Sequence, residues 1–143
     1  MAVDFRILPD SNVVLVFCSG HVTVAETLAA FDRYTSSPDF RPGQSQLIDL
    51  SDVEAYERDF TRIMSLQAHQ TEAYFSNSIA PNQTTHLIYV APNELSQTMA
   101  MSSLRSWRNL PGIVPLVVQS LDDALEILSL EVSVQEARQM QAS

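Results

Sequence analysis

Asp49, Asp52, Glu54, Glu57 and Asp59 crowd one short stretch of the chain. Neighbouring carboxylates can serve as general acid and base, and open α/β sheets gather their sites where strands end, as the third strand is expected to do here. The same acids suit a plainer task, because carboxylates favour helix N-termini and a helix is expected to follow. No two titratable residues are fixed at a spacing that identifies an acid and a base, so the residues do not describe an enzyme.

Cys18 and His21 form C-x-x-H, yet a metal site needs three or four ligands, and His69 and His86 belong to other elements. As a nucleophile Cys18 would need His21 or His86 as base. A lone cysteine in an apolar strand is ordinarily an inert core residue, which is the expectation here. A phosphate-binding loop needs clustered glycines and a lysine; the chain has three scattered glycines and no lysine. Asp49 alone cannot make the acidic pocket of a response-regulator receiver. No cofactor and no metal are expected.

The elements that must position these groups alternate. Val3 to Leu8 and Val13 to Ser19 are apolar runs separated by Pro9, Asp10, Ser11 and Asn12, which predicts an N-terminal β-hairpin. Thr23 and Glu26 have capping-box spacing, with Leu28 and Phe31 following at helical intervals, so a first helix begins near Thr23 and ends before Pro38. A loop over 36–45 leads to a short, apolar third strand, Leu47 to Leu50, expected to be central. Asp59 is the expected N-cap of a second helix carrying Phe60, Ile63, Met64, Thr71, Tyr74 and Phe75, with a loop from Asn77 to Gln83. His86 to Ala91 is the fourth strand; Leu95, Met99, Ala100, Leu104 and Trp107 mark a third helix. Ile113 to Gln119 is the fifth strand, placed at an edge by Pro115, and Ser120 with Asp123 caps a last helix. The order ββαβαβαβα predicts an α/β fold: a mixed five-stranded sheet, antiparallel in the hairpin and parallel through right-handed crossovers, flanked by four helices.

The chain of 143 residues fits one core. Residues 1–130 are read as the domain and 131–143 as a polar extension, helical or frayed. Net charge is −9 and all eight cations are arginine, so no face can offer the dense basic patch that nucleic acid requires. The longest apolar runs fall far below the roughly 18 residues of a spanning helix, which argues against integral membrane association. One cysteine and a first segment without signal-peptide character point to the cytoplasm.

This order, together with Gly20-His21-Val22-Thr23, the stretch Leu47-Ile48-Asp49-Leu50-Ser51-Asp52-Val53 and the stretch Leu116 to Leu125, resembles the SpoIIAA-like, STAS-related family over nearly the whole chain. The resemblance implies the same mixed sheet with flanking helices. It also implies a regulatory or protein-interaction module, since better-known relatives are anti-anti-sigma factors that bind a kinase and are switched by phosphorylation. Their switch serine lies in a D-S-S-G-like motif at the start of the second helix. Here that stretch reads Glu57-Arg58-Asp59-Phe60-Thr61, without the serine or the glycine, and Thr61 or Ser51 would have to substitute.

Three readings follow. A non-enzymatic module would dock a protein partner or a second copy through Ser51, Asp52, Tyr56, Asp59, Thr61 and Met101, with Tyr56 expected in a loop and Met101 off the main stripe of its helix. A carrier or sensor would hold a small apolar or lipid-like ligand in a pocket between the second and third helices, lined from Met64, Met99, Met101, Tyr56, Tyr74, Phe75 and Trp107. A phosphorylation-switched, anti-anti-sigma-like protein is the third, with its switch serine unmatched.

Overall fold

The structure is a computed structural model. It describes residues 2–75, 84–107, 112–129 and 137, with the side chains of all of these except 60, 67, 70–75 and 106. The elements are β1 (Val3–Leu8), β2 (Val13–Val22), α1 (Val24–Thr35), β3 (Ser45–Tyr56), α2 (Phe60–Phe75), β4 (Thr85–Val90), α3 (Glu94–Trp107), β5 (Ile113–Val118) and α4 (Leu121–Ile127). A single turn of 3₁₀ helix at Pro9–Ser11 closes the hairpin, and Asn12 takes the left-handed conformation that lets the chain reverse there.

The sheet order is β1-β2-β3-β4-β5, antiparallel between β1 and β2 and parallel thereafter. β3 is central and β5 is an edge, which tolerates Pro115. Each parallel step moves in the same direction across the sheet, so right-handed crossovers deliver α1, α2 and α3 to one face. The opposite face packs against α4. There Leu15, Phe17, Leu47, Ile88 and Val90 meet Leu121, Ala124 and Leu125. Leu47 and Ile88 are fully buried, and each such side chain contributes about 2 kcal/mol. On the helical face, Ile48, Leu50, Leu87 and Tyr89 pack with Ala100 and Trp107.

Side-chain caps fix the helix starts. Thr23 Oγ1 accepts from the Glu26 amide at 3.1 Å, and Ser120 Oγ from the Asp123 amide at 3.1 Å. Asp59 Oδ1 accepts from the Arg62 amide at 3.2 Å. Asn93 and Ser96 form a reciprocal pair at the head of α3, each side chain accepting the other's amide, a cap that the sequence reading did not identify.

Two strands are longer than expected. β2 continues through Gly20 to Val22, and β3 runs on from Leu50 to Tyr56. β3 pairs with β4 only as far as Asp49, so its last residues belong to a two-stranded ribbon with β2. A ribbon unpaired on one side tolerates polar residues, which is why Ser51, Asp52 and Glu54 resembled a loop in sequence. Register shifts flank Gly20, whose φ of +64° suits a bulge and strains any side-chain-bearing residue. The loop from Asn77 to Gln83 lies outside the described residues, as does the 131–143 extension apart from Ala137. Ala137 is helical and fully buried in the core beneath α4.

Candidate functional site

Among the described residues α2 packs chiefly on α1, whereas α3 packs on β3, β4 and β5. A cavity of about 180 Å³ lies between the strands and these helices. Strand residues Val16, Cys18, Ile48, Leu50, Leu87 and Tyr89 form its floor. Thr27 and Phe31 of α1, Ile63 and Leu66 of α2, and Met99 and Trp107 of α3 form its walls and roof. A smaller cavity of about 50 Å³ continues under α1 toward Phe5, Val14 and Tyr34, sharing Val3, Val16, Thr27, Phe31 and Gln46 with the first.

The strand alternation explains this lining. Gln46, Ile48 and Leu50 are two residues apart and share one face of β3, opposite Val14 and Val16 of β2 in register. Four of these five positions are aliphatic.

One edge of the cavity is closed by Glu57, just past the end of β3. Glu57 Oε1 accepts from the Val24 amide at 3.0 Å, and Oε2 lies 3.0 Å from Arg62 Nη1. One carboxylate thus ties the start of α1 to the first turns of α2. Farther along, His69 Nε2 lies 3.2 Å from Asp32 Oδ1, a second contact between the same helices.

Cys18 and Tyr89 bring titratable groups to the floor, and both stay protonated. Burial, with a smaller contribution from the charge of Asp49, pushes the Cys18 thiol up to about 12. Burial also raises the Tyr89 phenol, against hydrogen bonds with Ser103 and Trp107. A thiol held this way is a poor nucleophile, as the core reading of Cys18 expects. His21, its sequence neighbour in C-x-x-H, lies exposed on the β2–β3 ribbon. Among the described residues no three of His, Cys, Asp and Glu are grouped to hold a metal ion.

Asp52 is exposed on β3, and Asp59 and Thr61 are exposed at the start of α2. Ser51 is half-buried, and its Oγ and backbone amide both donate to Oδ1 of the buried Asp49, at 2.5 and 2.9 Å. Tyr56 is not in a loop. It is the last residue of β3, half-buried against the core, lining the cavity with the Arg58 guanidinium 4.6 Å above its ring. Met101 is 39% exposed, as its position off the stripe of α3 suggested.

The pocket expected between α2 and α3 is thus present in altered form. Tyr56, Met99 and Trp107 line it, Met64 and Met101 face outward, and the side chains of Tyr74 and Phe75 lie outside the described set. Sequence reasoning missed the strand floor, Phe31, Ile63, Leu66 and above all Gln46. A polar residue alternating with Ile48 and Leu50 was the available signal for the last.

Two solved structures share this architecture. One is an uncharacterised DUF3478-family protein with a SpoIIAA-like fold from Shewanella loihica PV-4. It is 12% identical, matches over 89% of this chain and 92% of its own, and has a TM-score of 0.55. The fold is SpoIIAA-like. The other structure, from Thermotoga maritima, is assigned as an anti-sigma factor antagonist. It is 14% identical over 89% of this chain and 94% of its own, with a TM-score of 0.52. No family model matches the sequence, and no curated protein matches it. The SpoIIAA-like sheet with its flanking helices agrees with the expected architecture, and among the described residues no helix is long and apolar enough to cross a membrane.

Proposed function

We propose that this SpoIIAA-like chain is a non-enzymatic regulatory module that binds a small apolar molecule in the cavity between its sheet and helices α1 to α3. The cavity carries this reading. It is partly open to solvent, has a volume of about 180 Å³ and is lined mostly by apolar side chains, so a guest seated there removes apolar surface from water. An engineered apolar cavity of about 150 Å³ holds benzene, so the guest is of one-ring or short-acyl size.

Titration with toluene, followed by ¹H–¹⁵N NMR, tests the reading. Saturable shifts are expected at Ile48, Leu50 and Leu87, and Val16→Phe, which fills the floor, should abolish them while the spectrum stays dispersed. Ile63→Trp provides a second block from the roof. Shifts that persist in both variants, or that never appear in the parent protein, would contradict the proposal.

A second reading concerns the outer surface. Asp59, Thr61, Met64 and Met101 are exposed on the helices that cover the cavity. A protein partner or a second copy could dock there and sense the bound state. The likeness to a structure assigned as an anti-sigma factor antagonist favours this reading. For a phosphorylation switch at Ser51 or Thr61, exposure favours Thr61, since Ser51 is half-buried and its Oγ donates to Asp49.

A further inference from the structure

The cavity's polar groups differ in one respect. Thr27 Oγ1 donates to the Thr23 carbonyl at 2.8 Å, and Ser102 Oγ to the Thr98 carbonyl at 3.1 Å. Ser103 is paired with Tyr89, and Glu57 is held by Val24 and Arg62. Gln46 has no such commitment: among the described residues no protein donor or acceptor meets its side-chain amide. Gln44, two residues earlier, shows the contrast. Its Oε1 accepts from the Tyr34 hydroxyl at 2.6 Å and its Nε2 donates to the Asp39 carbonyl at 3.1 Å.

Gln46 is also placed where the larger and smaller cavities meet, since it lines both. Gln46 is half-buried there, and an amide without a protein partner on a largely apolar wall is a ready hydrogen-bonding group for a guest that displaces water from it. The charges of the lining narrow what that can be. Among the described residues no arginine or histidine lines the cavity, and the one acidic side chain in its lining is that of Glu57. A carboxylate or phosphate bound there would meet no positive side chain among the described lining residues.

Resting on the reading of the cavity as an apolar-ligand site, we infer that its natural guest is a neutral molecule with one carbonyl- or hydroxyl-type group, bonded by the Gln46 amide, and apolar parts on either side that fill the two adjoining cavities. Free fatty acids and other anions are rejected by the same lining.

The test compares three probes, toluene, 2-octanone and octanoate, on the parent protein and on Gln46→Leu, with binding read by NMR titration at neutral pH. 2-Octanone should bind the parent well and octanoate at least about tenfold more weakly. Gln46→Leu should weaken 2-octanone by about tenfold, the value of one lost hydrogen bond, and leave toluene unchanged. Gln46→Met gives the same comparison should the leucine variant fold poorly.

Equal effects of the substitution on toluene and 2-octanone, or no effect on either, would overturn the role of Gln46 while leaving the apolar site intact. Octanoate binding as tightly as 2-octanone would overturn the exclusion of anions. Failure of every probe to bind the parent protein would instead overturn the apolar-site reading itself.

Discussion

Cys18 shows how its surroundings set a residue's chemistry. In sequence it is one thiol three residues from a histidine, a spacing that invites both metal and nucleophile readings. In the fold it lies on the cavity floor, and burial with nearby Asp49 pushes its thiol up to about 12 from an ordinary 9.0. The folded protein therefore keeps a proton that the unfolded chain releases, so this group's contribution is intact below pH 9 and is lost as pH rises toward 12. Tyr89 is shifted upward by the same burial and acts in the same direction. Urea unfolding between pH 8 and 11 should show stability falling with pH, and Cys18→Ala should fall less steeply. An identical slope in parent and variant would show that the thiol titrates normally. Gln46 makes the opposite point: it lay outside the expected third strand, Leu47 to Leu50, and its place on the face shared with Ile48 and Leu50 emerges only because β3 begins at Ser45.

The elements were legible where local chemistry dominates. Thr23, Asp59 and Ser120 cap helices as their spacing implies, and Pro115 lies on an edge strand. The extents of β2 and β3 were not, because a polar run extends as a strand only when a partner strand supplies its hydrogen bonds, and that partner is fixed by a bulge at Gly20. The error moved Tyr56 from an expected loop into the cavity wall, with a practical consequence for the docking surface. Replacing Tyr56 would disturb the cavity and the surface together, so it cannot separate the two readings. Thr61 and Met101 are exposed and can. Should the protein self-associate through α2 and α3, Thr61→Arg with Met101→Arg should convert it to monomer in sedimentation velocity without lowering its melting temperature by more than a few degrees. Unchanged association in that double variant would exclude this surface as the contact.

At the scale of the whole molecule, the strand order explains the site. Because every parallel step goes the same way, three helices share one face of the sheet, and the cavity lies between them and the strands. Composition and periodicity indicate the α/β class but not this consequence, since a cavity is a matter of how closely helices approach strands. The central claim is that the space is occupied in the working protein. Native mass spectrometry of the gently purified chain tests this most directly, with solvent extraction and gas chromatography to identify any guest. The expected result is one small neutral molecule per chain, absent from Val16→Phe. A parent protein that carries no guest, or the same guest retained in equal amount by Val16→Phe, would contradict it.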